Sequence, residues 1–335
     1  MEKTKREYRG YLTEYQPDIL EIISSTLDSN EDKERFWKYR REWDQAESCD
    51  VNYPFPINLD FELVDACNLA CHHCIRRSTD YRVSGKGSKR LGLQVYKRLI
   101  DEGSEYGLPA ISLGNSGEGF LENDIFEMID YAKQKKVLDI WLSTNGLLLD
   151  KEKIKELIRL KLTRISISID ATTEETYKKV RGGDFGKLMS NLHYLIEERA
   201  RQKSLLPIIR VTSIKLEHNK DELDEFVSYW SSKVETVGLQ EYLELRQKRN
   251  LTADQVHPFQ CASPWKKLMI WANGDVCPCC TFAGKDLYMG NIHASSLKQI
   301  WDSEHMREIR RALVSHDYPD ACLNCYAKPK ADSDQ

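Results

Sequence analysis

Cys67, Cys71 and Cys74 follow a short apolar segment with the spacing CxxxCxxC. Three thiolates on one loop can converge on one metal centre. A structural zinc site needs four ligands, so a fourth would have to come from His72, His73 or elsewhere. An iron–sulfur cubane held by only three cysteines instead leaves one iron open to a substrate or cofactor. The spacing favours the cluster and leaves zinc as the alternative.

Six further cysteines lie in the C-terminal part of the chain. Cys261 is followed by Gly274 and by the run Cys277-Pro278-Cys279-Cys280, and later by Cys322 and Cys325. In a reducing compartment such clusters indicate metal ligands or catalytic thiols rather than disulfides. A second iron–sulfur centre and a zinc ribbon are the two interpretations.

Short polar motifs recur between these two groups of cysteines. They are Gly114-Asn115-Ser116-Gly117-Glu118, Ser143-Thr144-Asn145-Gly146, Ser166-Ile167-Ser168-Ile169-Asp170 and Arg181-Gly182-Gly183. Taken alone, the first motif is better explained as a glycine turn. Arginine suits a carboxylate better than lysine does, because its planar fork donates two hydrogen bonds.

The elements that must position these motifs alternate between apolar β-type runs and amphipathic helices. The predicted strands are 57–63, 110–113, 139–144, 164–169, 208–213 and 234–239, and the predicted helices are 93–105, 125–135, 151–160, 186–201 and 221–229. Strands that alternate with helices predict an α/β fold with a parallel sheet. Ligands gather at the carboxyl ends of such strands, where all the motifs fall.

These motifs, in this order, resemble the radical S-adenosylmethionine (SAM) superfamily, whose signature CxxxCxφC follows the first strand. The resemblance implies a partial (β/α)6 TIM-type barrel, with a [4Fe-4S] cluster on Cys67, Cys71 and Cys74 and His73 in the φ position. It further implies that SAM chelates the open iron and is reductively cleaved to a 5′-deoxyadenosyl radical. The implied SAM-binding residues at the later strand ends are Ser116, Gly117, Glu118, Ser143, Asn145, Ser168 and Arg181.

The C-terminal cysteines resemble the SPASM and twitch extensions of that superfamily. Twelve residues, a glycine and four more residues separate Cys261 from Cys279, and a CxxC pair follows. The resemblance implies one auxiliary [4Fe-4S] cluster on Cys261, Cys279, Cys322 and Cys325, with Cys280 as an alternative to Cys279. Cys277 and Cys280 are then candidate hydrogen-atom donors, as in similar epimerases, or else small buried side chains.

Composition limits the remaining choices. Lys and Arg number 49 against 53 Asp and Glu, so a net charge of −4 gives no sign of a nucleic-acid partner. The apolar runs are too short to span a membrane, and the charged N-terminus does not read as a secretion signal, so a cytoplasmic location is expected. We expect a helical extension over residues 1–55, the partial barrel over 56–245, and a small, loop-rich Fe-S domain over 246–330 that is organised by metal rather than by an apolar core.

The predicted function is radical SAM chemistry on a small polar substrate such as a sugar or aminocyclitol, giving dehydrogenation or epimerisation. SAM, two [4Fe-4S] clusters and a flavodoxin- or ferredoxin-type electron donor are the expected cofactors and partner. Two alternatives stay open, namely a peptide or protein maturase of the same superfamily and a non-catalytic Fe-S or zinc protein. Arg210, Glu217, His218, Asn219 and Glu241 are further polar candidates near the barrel mouth.

Overall fold

A computed structural model describes residues 4–8, 11–15, 19–77, 89–242, 251–279 and 287–325. Its strands are β1 Thr4–Tyr8, β2 Tyr11–Tyr15, β3 Asn58–Phe61, β4 Ala110–Leu113, β5 Asp139–Thr144, β6 Arg164–Ser168, β7 Ile208–Lys215, β8 Thr236–Glu241, β9 Lys267–Ile270, β10 Asp275–Cys277 and β11 Gly290–Asn291. Its α-helices are α1 Ile19–Ser25, α2 Asn30–Gln45, α3 Leu93–Glu105, α4 Ile125–Gln134, α5 Lys151–Arg159, α6 Glu174–Val180, α7 Phe185–Arg201, α8 Leu223–Ser231, α9 Ser263–Lys266, α10 Leu297–Trp301, α11 Glu304–Val314 and α12 Asp320–Cys325. None of these helices is long and apolar enough to cross a membrane.

One sheet runs through the described part of the chain in the order β1-β2-β8-β7-β6-β5-β4-β3-β9-β10-β11. Strands β3 to β8 are parallel, and each pairs with the next along the chain. Helices connect these strands, as the right-handed crossover of a parallel sheet requires. The prediction of an α/β fold with a partial barrel of six parallel strands is confirmed.

The two faces of the sheet differ in polarity. Side chains on the outer face pack against the helices and have essentially no exposed surface, among them Ile111, Leu142, Ile165, Ile167 and Val211. They join helix residues such as Leu99 and Leu157 in one apolar core. Since side chains alternate along a strand, the intervening positions face the other side and form the inner face of the partial barrel.

The N-terminal segment is only partly helical, which corrects the predicted helical extension. Helices α1 and α2 agree with the amphipathic pattern, and α2 begins where Ser29 accepts a hydrogen bond from the backbone N–H of Asp32. Strands β1 and β2, however, form an antiparallel hairpin, and β2 pairs with the outer edge of β8. Strong charge in this segment hides the alternation that identifies a strand, and charged residues are typical of edge strands.

The C-terminal segment also differs from the prediction of a loop-rich domain without its own apolar core. Strand β9 pairs in parallel with β3, so the sheet continues into this segment. Leu297, Trp301, Met306 and Leu313 are buried in the same apolar core as the barrel residues. Apolar packing therefore holds the segment to the barrel.

Candidate functional site

The first three cysteines lie on the loop that leaves β3. This loop ends in a short 3₁₀ helix, Ile75–Arg77, in which the backbone N–H of Arg77 donates to the carbonyl of Cys74. Gly117 packs against the same loop so closely that a Cβ there would lie 2.0 Å from the carbonyl oxygen of Val64. Only glycine permits this approach, which brings the loop after β4 onto the cysteine loop.

A cavity of about 360 Å³ opens at the carboxyl ends of the parallel strands. The three cysteines line it, and so do all of the predicted SAM-binding residues, namely His73, Ser116, Gly117, Glu118, Ser143, Asn145, Ser168 and Arg181. The lining also includes Arg76, Gln240, Glu241 and Tyr242. The structure therefore brings together side chains from strand ends that lie up to 175 residues apart in the sequence. The individual roles of these residues in binding SAM stay predictions.

The carboxylate of Glu118 holds two of these strand ends together. It accepts hydrogen bonds from Thr144 Oγ1 at 2.7 Å, from the backbone N–H of Asn145 at 2.8 Å and from that of Phe120 at 3.2 Å. Burial raises the pKa of Glu118, although the three donors act in the opposite direction. Glu118 thus fixes the loop after β4 to the loop after β5.

Arg181 reaches the cavity from the end of α6 and is held there by Asp170. The Nε and Nη2 atoms of Arg181 lie 2.8 and 2.6 Å from Asp170 Oδ2, and its Nη1 lies 3.9 Å from the sulfur of Cys71. Asp170 has no exposed surface and also accepts from the backbone N–H of Ile214 at 2.8 Å. Sequence reasoning included Asp170 in the motif Ser166-Ile167-Ser168-Ile169-Asp170 but did not predict its role as the partner of Arg181.

Asn145 joins the loop after β5 to the cysteine loop. Its Nδ2 donates to Asn68 Oδ1 at 2.8 Å and lies 3.8 Å from the sulfur of Cys67. Its Oδ1 accepts from the backbone N–H of Leu147 at 3.0 Å, which fixes the orientation of the amide. The amide nitrogen of Asn145 therefore faces the thiol of Cys67.

The thiols of Cys67, Cys71 and Cys74 line one cavity, and their role as cluster ligands stays a prediction. Burial raises the pKa of Cys71 to about 11, and the nearby Cys74 and Cys67 also raise it, against the effect of Arg181. Burial raises the pKa of Cys67 as well. Ligation of an iron centre would therefore have to release the protons of these thiols. Within the described ranges, no group of three or more His, Cys, Asp or Glu side chains is placed to hold one metal ion.

The C-terminal thiols form a second group. Burial raises the pKa of Cys322 to about 12, and the neighbouring Cys261 and Cys325 raise it further. These three predicted ligands therefore lie close together. Cys279 follows β10, and its place as the fourth ligand stays a prediction. No disulfide joins the nine cysteines in the described part of the chain.

Of the two candidate hydrogen donors, only Cys277 is described, because Cys280 lies outside the described residues. Cys277 has no exposed surface and packs with Met269 and Trp271. The indole N–H of Trp271 donates to its sulfur at 3.2 Å. Its surroundings are those of a buried apolar side chain.

The remaining polar candidates have different environments. Asn219 is buried and its Nδ2 donates to the carbonyls of Asp170 and Ile214, so it supports the strand end. Glu217 pairs with Lys220 on the surface, and His218 packs near His72 with ring centroids 6.1 Å apart. Glu241 lines the cavity, and Arg210 lies on the inner face of β7.

Two family models match this chain. The radical SAM superfamily model matches residues 61–227, and the SPASM model, described as an iron-sulfur cluster-binding domain, matches residues 261–326. The chain belongs to the radical SAM superfamily and carries a C-terminal SPASM domain. Membership brings SAM and a [4Fe-4S] cluster as cofactors, together with auxiliary iron–sulfur clusters in the SPASM domain.

The curated relatives are named for different activities. The chain is 35% identical over 134 residues to Fe-coproporphyrin III synthase of Methanosarcina barkeri, covering 39% of this chain and 32% of that protein. It is 31% identical over 175 residues to the mycofactocin maturase MftC of Mycolicibacterium smegmatis, covering 52% and 41%. The subtilosin biosynthesis protein AlbA of Bacillus subtilis is 24% identical over 325 residues, covering 82% and 68%. The chain thus spans about a third of the length of the first relative and about two fifths of the length of the second.

Solved structures share the fold. SuiB of Streptococcus suis bound to the precursor peptide SuiA superposes with a TM-score of 0.60 at 16% identity, covering 85% of this chain and 73% of that one. BtrN in complex with AdoMet and 2-DOIA superposes with a TM-score of 0.53 at 17% identity, covering 82% and 94%. At these identities the likeness concerns the fold alone.

Proposed function

We propose that this radical SAM enzyme removes a hydrogen atom from a small polar molecule, such as a sugar or aminocyclitol, and thereby oxidises or epimerises it. When bound, SAM and the cluster on Cys67, Cys71 and Cys74 supply a 5′-deoxyadenosyl radical, and the auxiliary cluster supplies an electron acceptor. The protein's own residues position the substrate and keep competing donors away. A flavodoxin- or ferredoxin-type protein is the proposed electron donor.

The inner face of the partial barrel carries this proposal. Ser112, Trp141, Ser143 and Arg210 lie there and are half-buried, whereas the outer-face residues of the same strands are completely buried. The inner face is therefore polar and reached by solvent. Hydroxyl, indole and guanidinium groups on rigid strands suit a compact substrate with several hydroxyl or amino groups.

The burial of Cys277 favours oxidation over epimerisation by this thiol. A hydrogen donor must reach the substrate carbon, but Cys277 is enclosed by Met269 and Trp271 and does not line the cavity. Cys261, Cys322 and Cys325 would hold the cluster that oxidation requires. If epimerisation occurs, Cys280 is the stronger donor candidate.

A peptide maturase is the second candidate. The sequence similarity to MftC and AlbA, and the fold shared with peptide-bound SuiB, support it. A peptide would have to enter the inner face as an extended chain.

Anaerobic reconstitution with iron and sulfide, followed by SAM and dithionite, tests the proposal. Wild type should form 5′-deoxyadenosine and C71A should not. Failure of wild type to cleave SAM would contradict enzymatic function and favour a non-catalytic Fe-S or zinc protein.

Substrate class is tested by mass spectrometry on panels of aminocyclitols, sugars and synthetic peptides. A loss of two hydrogens indicates oxidation, and deuterium uptake from heavy water without a mass loss indicates epimerisation. Turnover of peptides only would refute the small-molecule proposal. In C277A, deuterium uptake should persist if this thiol is not the donor.

A further inference from the structure

A further cavity lies at the opposite end of the sheet from the cofactor cavity. It has a volume of about 220 Å³ and lies between the ends of α4 and α5 and the turn that joins α1 to α2. Its lining includes Leu138, Thr163 and Leu206, which stand one or two residues before strands β5, β6 and β7. These residues mark the amino ends of the strands, whereas the cofactor cavity opens at their carboxyl ends. The two sites are therefore separate.

Lys133, in the last turn of α4, lines this further cavity and is half-buried. Its amine forms no ion pair and no hydrogen bond with any described residue. The side chains of Lys136, Arg159 and Lys161, which also line the cavity, are largely exposed. Solvent and small solutes therefore reach the cavity, and the amine of Lys133 is available to them.

The other charged groups of the lining each have a partner. The pairs are Asp28 with Lys161 at 3.9 Å, Asp32 with Lys136 at 3.5 Å, Arg159 with Glu156 at 2.6 Å, and Asp130 with Gln134 at 2.7 Å. Asp139, the nearby acid on β5, is paired with Arg164 at 2.8 Å. The acids around Lys133 thus pair with other groups, and the cavity keeps three further cations.

The surroundings of Lys133 favour the neutral amine. Burial lowers the pKa of Lys133 to about 8, and Lys161 lowers it further, while Asp28, Asp139 and Asp130 act in the opposite direction. At pH 7 about one amine in ten is therefore neutral, against fewer than about one in a thousand for an ordinary lysine. Only a neutral amine has the lone pair that a nucleophile needs.

We propose that Lys133 is a modification site whose amine takes up the acyl group of a small acyl phosphate. The lone pair of Nζ attacks the carbonyl carbon, and a C–N bond forms as the C–O bond to the phosphate breaks. Phosphate leaves with the bonding electron pair, the amine releases one proton to water, and a neutral amide remains. The cavity is smaller than the roughly 300–1,000 Å³ of drug-sized pockets, so it suits a compact donor. Lys136 and Lys161 supply positive charge near the phosphate of the donor.

Acetyl phosphate is the probe that tests this proposal. The reconstituted holoenzyme is incubated with it anaerobically at pH 7, and peptide mass spectrometry measures the initial rate of acetylation at each lysine. Lys135 is the matched control, because it lies two residues away and its hydrogen bond to Asp101 raises its pKa. Lys133 should react at least about tenfold faster than Lys135, since its larger neutral fraction outweighs its lower basicity.

Three further measurements separate this site from general lysine reactivity. The rate at Lys133 should level off above about pH 8, whereas the rate at Lys135 should keep rising. In urea the two lysines should react at similar rates, because unfolding removes the burial of Lys133. Saturating SAM should leave both rates unchanged, because it binds at the other end of the sheet. Equal rates in the folded protein, parallel pH profiles, or protection of Lys133 by SAM would overturn the proposal.

Discussion

Removing the charge of Asp170 tests how the wall of the cofactor cavity is held. The carboxylate accepts from two nitrogens of Arg181 and from the backbone N–H of Ile214 while completely buried. D170N keeps the shape of the side chain, and asparagine tolerates the φ of 63° at this position. The new amide can accept on one side only, so its NH₂ group must face the guanidinium or the backbone N–H.

The expected loss of stability in D170N follows from the positive charge that remains on Arg181. Burial lowers the pKa of Arg181, but Asp170 and Cys71 raise it more, so its net pKa lies above the ordinary value and the group stays charged. Breaking a buried ion pair from one side costs about 3–5 kcal/mol of unfolding free energy. The exposed pair of Glu156 and Arg159 gives the control, because E156Q should cost about 0–1 kcal/mol.

Anaerobic urea unfolding of D170N, E156Q and wild type at matched iron content measures these differences. The double variant D170N/R181Q removes both charges and should be more stable than D170N alone. A loss below about 1 kcal/mol in D170N, or no recovery in the double variant, would refute the buried ion pair as the source of stability.

G117A should disrupt the cysteine loop, because the new Cβ would lie 2.0 Å from the carbonyl oxygen of Val64. We expect its affinity for SAM, measured by equilibrium dialysis, to fall at least about tenfold. G186A is the control, because its Cβ would meet only one atom, at 3.5 Å, and its affinity for SAM should match that of wild type. Similar affinities of G117A and G186A for SAM would contradict the steric argument. C322A should lower the iron content from about eight to about four per chain, as the loss of one cubane requires. Unchanged iron, or zinc in its place, would disprove the auxiliary-cluster assignment.

The parallel part of the fold was predictable because each of its strands is short, apolar and separated from the next by an amphipathic helix. These strands carry apolar residues at alternate positions, as Ile165 and Ile167 on β6 show. The cysteine loop was equally clear, since CxxxCxxC needs no long-range information. The sequence could not predict which strand ends contact each other, and the carboxylate of Glu118 bonds across 26 and 27 residues to the β5 loop.

Two other features were hidden for physical reasons. The hairpin β1-β2 is rich in charge, so its strand character depends on pairing with β8 rather than on apolar alternation. The buried partners of Arg181 are polar groups whose burial is tolerable only in the folded arrangement. No local pattern distinguishes Asp170 from a solvent-exposed acid at a strand end.

The parallel pairing of β9 with β3 bears on how the two groups of cysteines work together. Strand β3 leads directly into the cysteine loop. On the other side, α9 begins two residues after Cys261, and β9 follows α9 directly. The backbone N–H of Ala272 donates to Glu62 Oε2, and Glu62 belongs to the first residues of the cysteine loop. Burial raises the pKa of Glu62, which fits a side chain enclosed between the two segments. The pairing of β3 with β9 thus joins the segment that leads into the cysteine loop to the segment that follows Cys261.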